Sequence, residues 1–239
     1  MPLVLRVDVD KPYGRENIIQ KVLSKIREDY WFPPLVSLGY LSHVKKFLKF
    51  LESENIHAHI YFRRCTLPPK EWLGTSILSQ HSIGHHAEDT RSFEALASEY
   101  EIIQKYMRPI KIASFNKHGS GNLKLGRYHY PLYEPDQYRE WGQELGVPFL
   151  FGNEELVSRS IPYPEYIGYY PNMYWIDRTY NESEQLNLEE IVKLATDRNI
   201  IVIIHPANYI ADKQVERRMK ELVSIARKYK VQWGTIEVN

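Results

Sequence analysis

The chain is expected to fold as an α/β protein, a (β/α) barrel of seven or so parallel strands. Three observations lead there. Short apolar runs rich in Val and Ile alternate with helix-period segments along most of the 239 residues, the pattern of repeated βα units. Two of these runs, Val4-Leu5-Arg6-Val7-Asp8-Val9-Asp10 and Asn199-Ile200-Ile201-Val202-Ile203-Ile204-His205-Pro206, read as buried strands tipped by ionisable groups. No Gly-rich phosphate loop follows the first strand, which counts against an open nucleotide-binding sheet; Gly119-Ser120-Gly121 lacks the spacing.

The elements follow in order. Residues 3 to 8 form the first strand, and Pro12-Tyr13-Gly14 turns the chain into a helix whose apolar spacing is visible from Asn17 to Leu23. Leu41, Val44, Leu48 and Leu51 fall at helical intervals between about Gly39 and Asn55, with lysines between them. Ile56 to Phe62 alternates as a strand does, which puts His57 and His59 on one face, the expected polar one. Ser82-Ile83-Gly84 is a short third strand. Thr90 and Ser92 can cap a helix reaching Met107, with Glu94 in its first turn. Ile110 to Phe115 reads as a fourth strand ending in Asn116-Lys117-His118-Gly119. A helix from Gln137 to Leu145 leads into a fifth strand, Val147 to Phe151, then an aromatic region from Tyr163 to Trp175 with a strand at Asn172 to Ile176. The last third is regular: helix from Leu188 to Asp197, strand from Ile200 to Ile204, helix from Val215 to Tyr229, strand from Val231 to Glu237. Seven or eight such units in this length favour closure of the sheet.

Composition narrows the class. At 28.3 kDa, with 43% hydrophobic and 26% charged residues, the chain can bury one substantial core, so residues 1 to 239 are expected to form one domain. A formal charge of +1 gives no general attraction for nucleic acid or an anionic membrane. No apolar run approaches the roughly 18 residues of a membrane span, and Met1-Pro2 enters a strand without a secretory signal, so a cytoplasmic location is expected. Cys65 is alone, which excludes an intrachain disulfide; Arg63 and Arg64 beside it could lower its pKa, making it a minor candidate thiol. The Tyr169 to Trp175 stretch concentrates aromatic rings of the kind that stack on sugars, and residues 126 to 135 are expected to loop over the barrel mouth.

The richest segment is Gln80-His81-Ser82-Ile83-Gly84-His85-His86-Ala87-Glu88-Asp89, with three histidines and two acids in ten residues. Imidazole and carboxylate are the usual ligands of a divalent ion, zinc first among them, although such a cluster can also be a solvated loop. Asp8, Asp10 and His205 end strands whose tips share one rim, where ligands of α/β barrels bind. Each acid alone could equally be a helix cap or a surface turn.

In this order the features resemble the polysaccharide deacetylase family of carbohydrate esterases, whose domain is a distorted (β/α) barrel of similar length. Val7-Asp8-Val9-Asp10 is similar to the family's paired acids in a spaced form, Gln80 to Thr90 to its histidine motif, and Ile200 to His205 to its closing strand and histidine. The resemblance implies Asp8 as general base, His205 as general acid, and Asp10 with His86 as metal ligands. Thr90 stands where the family has a second metal-binding histidine. His118, at the end of the next strand, is the first candidate to replace it; His85, His81, Glu88 and Asp89 are further ones. The family's third motif is matched in position only, by Phe115 to Gly119, without the Arg that orients the catalytic acid. The implied activity is metal-dependent removal of an acetyl group from an N-acetylated sugar or related small amide. The alternative is a barrel that has lost the ion and binds a glycan or a protein partner. Oligomeric state is not legible in the sequence.

Overall fold

The computed structural model describes residues 2–30, 34–119, 132–157, 168–178 and 186–237. Eight strands occur among them: β1 (Leu3–Val9), β2 (Ala58–Phe62), β3 (Ser82–Ala87), β4 (Ser114–Lys117), β5 (Phe151–Glu155), β6 (Tyr170–Trp175), β7 (Ile200–Ile204) and β8 (Trp233–Gly234). Their order across the sheet is β4-β3-β2-β1-β7-β6-β5, every pairing is parallel, and β8 is a short addition beside β1. The two ends of that row meet. Phe115 N donates to the Pro148 carbonyl at 3.0 Å and Leu150 N to the Phe115 carbonyl at 3.3 Å, so the sheet curls into a nearly closed barrel. The closure is irregular, because the chain beside β4 at Phe149 is not yet in β5, and β5 slips register against β6 between Phe151 and Glu154. The expected distorted (β/α) barrel is the observed architecture.

Alternation along the strands sorts side chains between two compartments. Leu3, Leu5, Val7 and Val9 of β1 and Ile200, Val202 and Ile204 of β7 face outward into the layer of helices. That layer contains α1 (Ile18–Asp29), α2 (Ser42–Ser53), α3 (Ser76–Ser79), α4 (Phe93–Met107), α5 (Pro135–Leu145), α6 (Leu188–Leu194), α7 (Pro206–Ala211) and α8 (Lys213–Lys228). Val4, Tyr61, Phe151, Met173, Trp175, Ile201 and Ile203 fill the barrel interior. The amphipathic helices are covered on their apolar stripes, as α2 shows with Val44, Phe47, Leu48 and Leu51 buried; α1 is the exception and is taken up below.

Several boundaries differ from the sequence reading. β4 starts at Ser114 and not Ile110, because its pairing with β3 begins at Gly84 and runs on to Lys117, which draws Asn116 into the barrel. The closing strand shrinks to Trp233 and Gly234, the two residues that reach Leu3 and Val4. α7 follows β7 at once, with Pro206 at its first turn where a missing N–H costs nothing. His57 precedes β2 and is exposed, whereas His59 is wholly buried, edge-on to Phe151, so the face expected to be polar is the barrel interior. Residues 126–131 of the anticipated mouth loop and 163–167 of the aromatic region lie outside the described residues, as do Ser120 and Gly121. No helix among the described residues is long and apolar enough to cross a membrane.

Candidate active site

The site lies at the C-terminal ends of the strands, and period-two geometry builds most of it. Arg6, Asp8 and Asp10 are each two residues apart, so β1 and its extension present all three to the barrel interior. Gly84 and His86 share the inward face of β3; Ser114, Asn116 and His118 continue the same pattern from β4. One ligand atom each from Asp10, His86 and His118 lies within 4.8 Å of the others. His86 Nε2 is 3.1 Å and His118 Nε2 3.7 Å from Asp10 Oδ1, and the two imidazoles meet edge to face with ring centroids 4.9 Å apart. On the far side of the same carboxylate, His205 Nε2 is 3.4 Å from Asp10 Oδ2.

Each of these groups is held by a neighbour. Arg6 grips Asp8 in a fork, Nε to Oδ1 at 2.9 Å and Nη2 to Oδ2 at 2.6 Å, with both side chains buried. Asn116 bridges the two halves of the site: its Nδ2 donates to Asp8 Oδ1 at 3.3 Å while its Oδ1 takes the Nδ1 hydrogen of His86. That hydrogen bond leaves His86 Nε2 as the lone-pair nitrogen facing Asp10. Asp177, just beyond β6, accepts from His205 Nδ1 at 2.8 Å, from the His205 backbone N–H at 2.8 Å and from Asn208 at 2.9 Å. Arg63 donates to the Asp10 carbonyl at 2.7 Å and pairs with Glu88, which fixes the backbone that carries Asp10. Gly84 has no side chain because there is no room for one: an added Cβ would lie 2.2 Å from Tyr61 Cε1, and Tyr61 crosses that space to bond Ser114.

Charge is distributed accordingly. Burial opposes ionisation of Asp10, but His118 and His205 beside it hold its carboxyl well below the usual range. For Asp8 burial is likewise outweighed, here first by Arg6 and then by His86, and its pKa is lowered. Burial, and then the Arg63 charge, hold the His118 pKa well below the ordinary imidazole value. Burial would lower His205 too, yet Asp177 and Asp10 raise it to about 9. Asp177 itself is lowered by His205 against the effect of its burial.

A cavity of about 400 Å3 opens over the cluster, and Trp175 and Arg178 form part of its wall. The indole of Trp175 stacks on His205, ring centroids 5.9 Å apart and 22° between planes, and the Arg178 guanidinium lies 4.8 Å over the same indole.

The donor set fits a divalent cation. Asp10 Oδ1 is buried without a hydrogen-bond partner among the described residues, and two imidazole nitrogens converge on it. Other members of the histidine-rich segment are not brought in. His81 stands before β3, at the opposite end of the barrel, where its Nδ1 accepts from the Ala58 N–H at 3.2 Å. His85 alternates away from His86 and faces Glu99 in the helical layer at 3.5 Å. Glu88 pairs with Arg63, and Asp89 with Arg91 at 2.7 Å. Thr90 is fully buried beside Tyr138, 3.3 Å between hydroxyls. Cys65 is not an activated thiol: it is 2% exposed, and burial pushes it up despite Arg63.

Sequence reasoning overlooked Arg6, Asn116 and Asp177. Arg6 carried a signal, a lone charge at period two from Asp8 inside an apolar strand, which a buried pair would explain. Asp177 and Asn116 carried none, since their roles depend on which strands lie side by side.

No family model matches the sequence. No curated protein matches it either. Among solved structures, the catalytic domain of peptidoglycan N-acetylglucosamine deacetylase from Eubacterium rectale ATCC 33656 is similar with a TM-score of 0.48 and 8% identity, over 99% of this chain and 90% of that one. The YdjI aldolase from Escherichia coli K12 has a TM-score of 0.32 and 10% identity, over 96% and 90%. With likenesses this low, the chemistry has to be read from the side chains themselves.

Proposed function

We propose that the protein is a metal-dependent hydrolase that removes an acetyl group from an N-acetylated sugar or a related small amide. One observation carries the reading: three ligand atoms of Asp10, His86 and His118 converge within 4.8 Å between a second carboxylate, Asp8, and a third imidazole, His205. Asp10, His86 and His118 would hold the ion, His118 taking the place left by Thr90. When bound, a divalent cation such as zinc polarises an amide carbonyl and makes water more acidic.

The remaining work falls to the chain. Asp8, ionised and held by Arg6 and Asn116, is the base that accepts a proton from the attacking water. Its Oδ2 lies 3.5 Å from His86 Nε2, so it borders the ligand cluster. His205 delivers a proton from Nε2 to the amine nitrogen as the C–N bond breaks, leaving acetate and a free amine. Asp177 keeps the His205 Nδ1 hydrogen engaged, which aims Nε2 into the cavity. Trp175, buried and stacked on His205, would form part of the wall beside the substrate and hold the His205 ring in place.

Titration of the chelated protein with zinc tests the ligand set. His118→Ala and His86→Ala should each weaken zinc at least tenfold, with Gln80→Ala unchanged. An unaltered affinity in His118→Ala would remove it from the set. Acetate release from N-acetylglucosamine and its short oligomers tests the reaction, and full zinc occupancy without any release would favour a binding role instead.

A further inference from the structure

Helix α1 is mounted with its polar side inward. Ser24 and Arg27 face the protein and are nearly covered, Arg27 Nε donating to the Cys65 carbonyl at 2.6 Å and its guanidinium lying 4.6 Å over Tyr40. Ile18, Ile19, Val22 and Ile26 face water instead, with 82%, 66%, 53% and 45% of their surface exposed. A surface helix ordinarily does the reverse. The 3-10 turn at Val36–Leu38 extends the patch: Leu35, Val36 and Leu38 are exposed, and the Gln20 side chain donates to the Leu38 carbonyl at 2.9 Å, joining turn and helix in one surface. With Tyr30, 70% exposed, these residues present roughly 800 Å2 in all, backbone and the Tyr30 hydroxyl included, at about 180 Å2 for a fully exposed residue, which is of the order of one partner's share in a standard interface, about 800 Å2.

We propose that this face is a twofold interface in which a second copy of the chain covers α1 with its own α1. This goes beyond the hydrolase reading and does not depend on it. Spacing selects the occupant. Ile18, Val22 and Ile26 recur every four residues, so the row reads the same in both directions about Val22. An antiparallel copy sets Ile18 against Ile26 and Val22 against itself, a self-complementary contact of the isologous kind. Of the cations on α1, Lys25 is held by Glu28 at 2.8 Å and Arg27 is turned inward to the Cys65 carbonyl, which leaves Lys21 beside the stripe, fewer than the basic belt by which a helix lies on an anionic bilayer. The interface would adjoin the site: Glu28 lies 3.9 Å from Arg63, and Arg63 holds the Asp10 carbonyl.

Light scattering on the full chain from about 1 to about 100 µM tests this. The expected result is twice the 28.3 kDa chain mass, with V22E/I26E weakening association at least a hundredfold while its circular dichroism is unchanged. A second variant removes dependence on that one: oxidised V22C should give a disulfide-linked dimer across the twofold, and K46C, exposed on α2, should not. A monomer at every concentration overturns the proposal, as does a dimer that survives V22E/I26E. Flotation with vesicles of anionic phospholipid that V22E/I26E abolishes would overturn it as well, by making lipid the occupant.

Discussion

Replacing Arg6 by methionine removes a charge and leaves its partner behind. Arg6 engages both oxygens of Asp8, at 2.9 and 2.6 Å, and the two side chains are 1% and 3% exposed, so water cannot substitute for the lost guanidinium. Asp8 would keep the 3.3 Å bond from Asn116 and the His86 ring 3.5 Å away. Stranding one member of a buried pair costs about 3–5 kcal/mol, a large part of the roughly 5–15 kcal/mol that holds a domain together. In urea at pH 7, with a chelator present so that no cation stands in, the midpoint of R6M should fall by about 1–2 M. R6M/D8N should recover at least about 2 kcal/mol relative to the sum of the single variants, because neither charge is then unpaired. The pH dependence of the Asp8 contribution weakens. In the parent, the lowered Asp8 pKa contributes stability above the unfolded value of 3.8 that is lost as pH falls through the folded one. In R6M the Arg6 charge is gone while His86 and His205 remain, so the Asp8 pKa lies higher than in the parent and the deficit relative to the parent shrinks as pH falls. Additive single and double variants, or an R6M deficit relative to the parent that stays the same from about pH 7 to about pH 4, would refute the reasoning.

Three further outcomes are expected. Gly84→Ala forces a methyl to within 2.2 Å of the Tyr61 ring and 3.0 Å of the Ser114 carbonyl; a loss of about 3 kcal/mol should lower the melting temperature by about 6–12 °C, and an unchanged melt would mean that the ring yields freely. His59 and His81 accept backbone N–H bonds as neutral rings from Ile236 and Ala58, and burial pushes both down to about 4. Their contribution, at most about 3 kcal/mol each, is fully present above pH 6.5 and lost as pH falls from there towards 4. His59→Gln keeps an acceptor without a titration and should flatten that loss in urea unfolding from pH 7 to 4.5; an identical slope would count against it. Asp177→Asn should lower turnover by about 10²–10⁴ with KM little changed, read as acetate release. A loss below threefold would leave His205 positioned by something else.

The barrel was legible because its signals are local. A Val/Ile run followed by a helix-period segment, repeated, has few ways to bury both faces of its strands; the run order points to a parallel sheet, and the number of units in this length favours its closure. Period-two alternation also made parts of the site readable: Asp8 and Asp10 share a face whatever lies opposite them. The same rule, applied to the histidine-rich segment, separates His85 from its neighbour His86 and sends it to Glu99, and the length of β3 carries His81 to the far end. Closeness along the chain misleads there, because a strand advances about 3.3 Å per residue and turns each side chain to the other face.

What only the tertiary structure decided is who stands beside whom. The fork from Arg6, the bridge through Asn116 and the support from Asp177 all depend on lateral pairing of strands distant in sequence, for which a side chain's own neighbours carry no information. Burial was decided there too: two arginines beside Cys65 suggested a low pKa, and the loss of water around the thiol reversed it. The outward mounting of α1 belongs to the same class, since a helical period tells which residues share a stripe but not the direction in which the stripe will face.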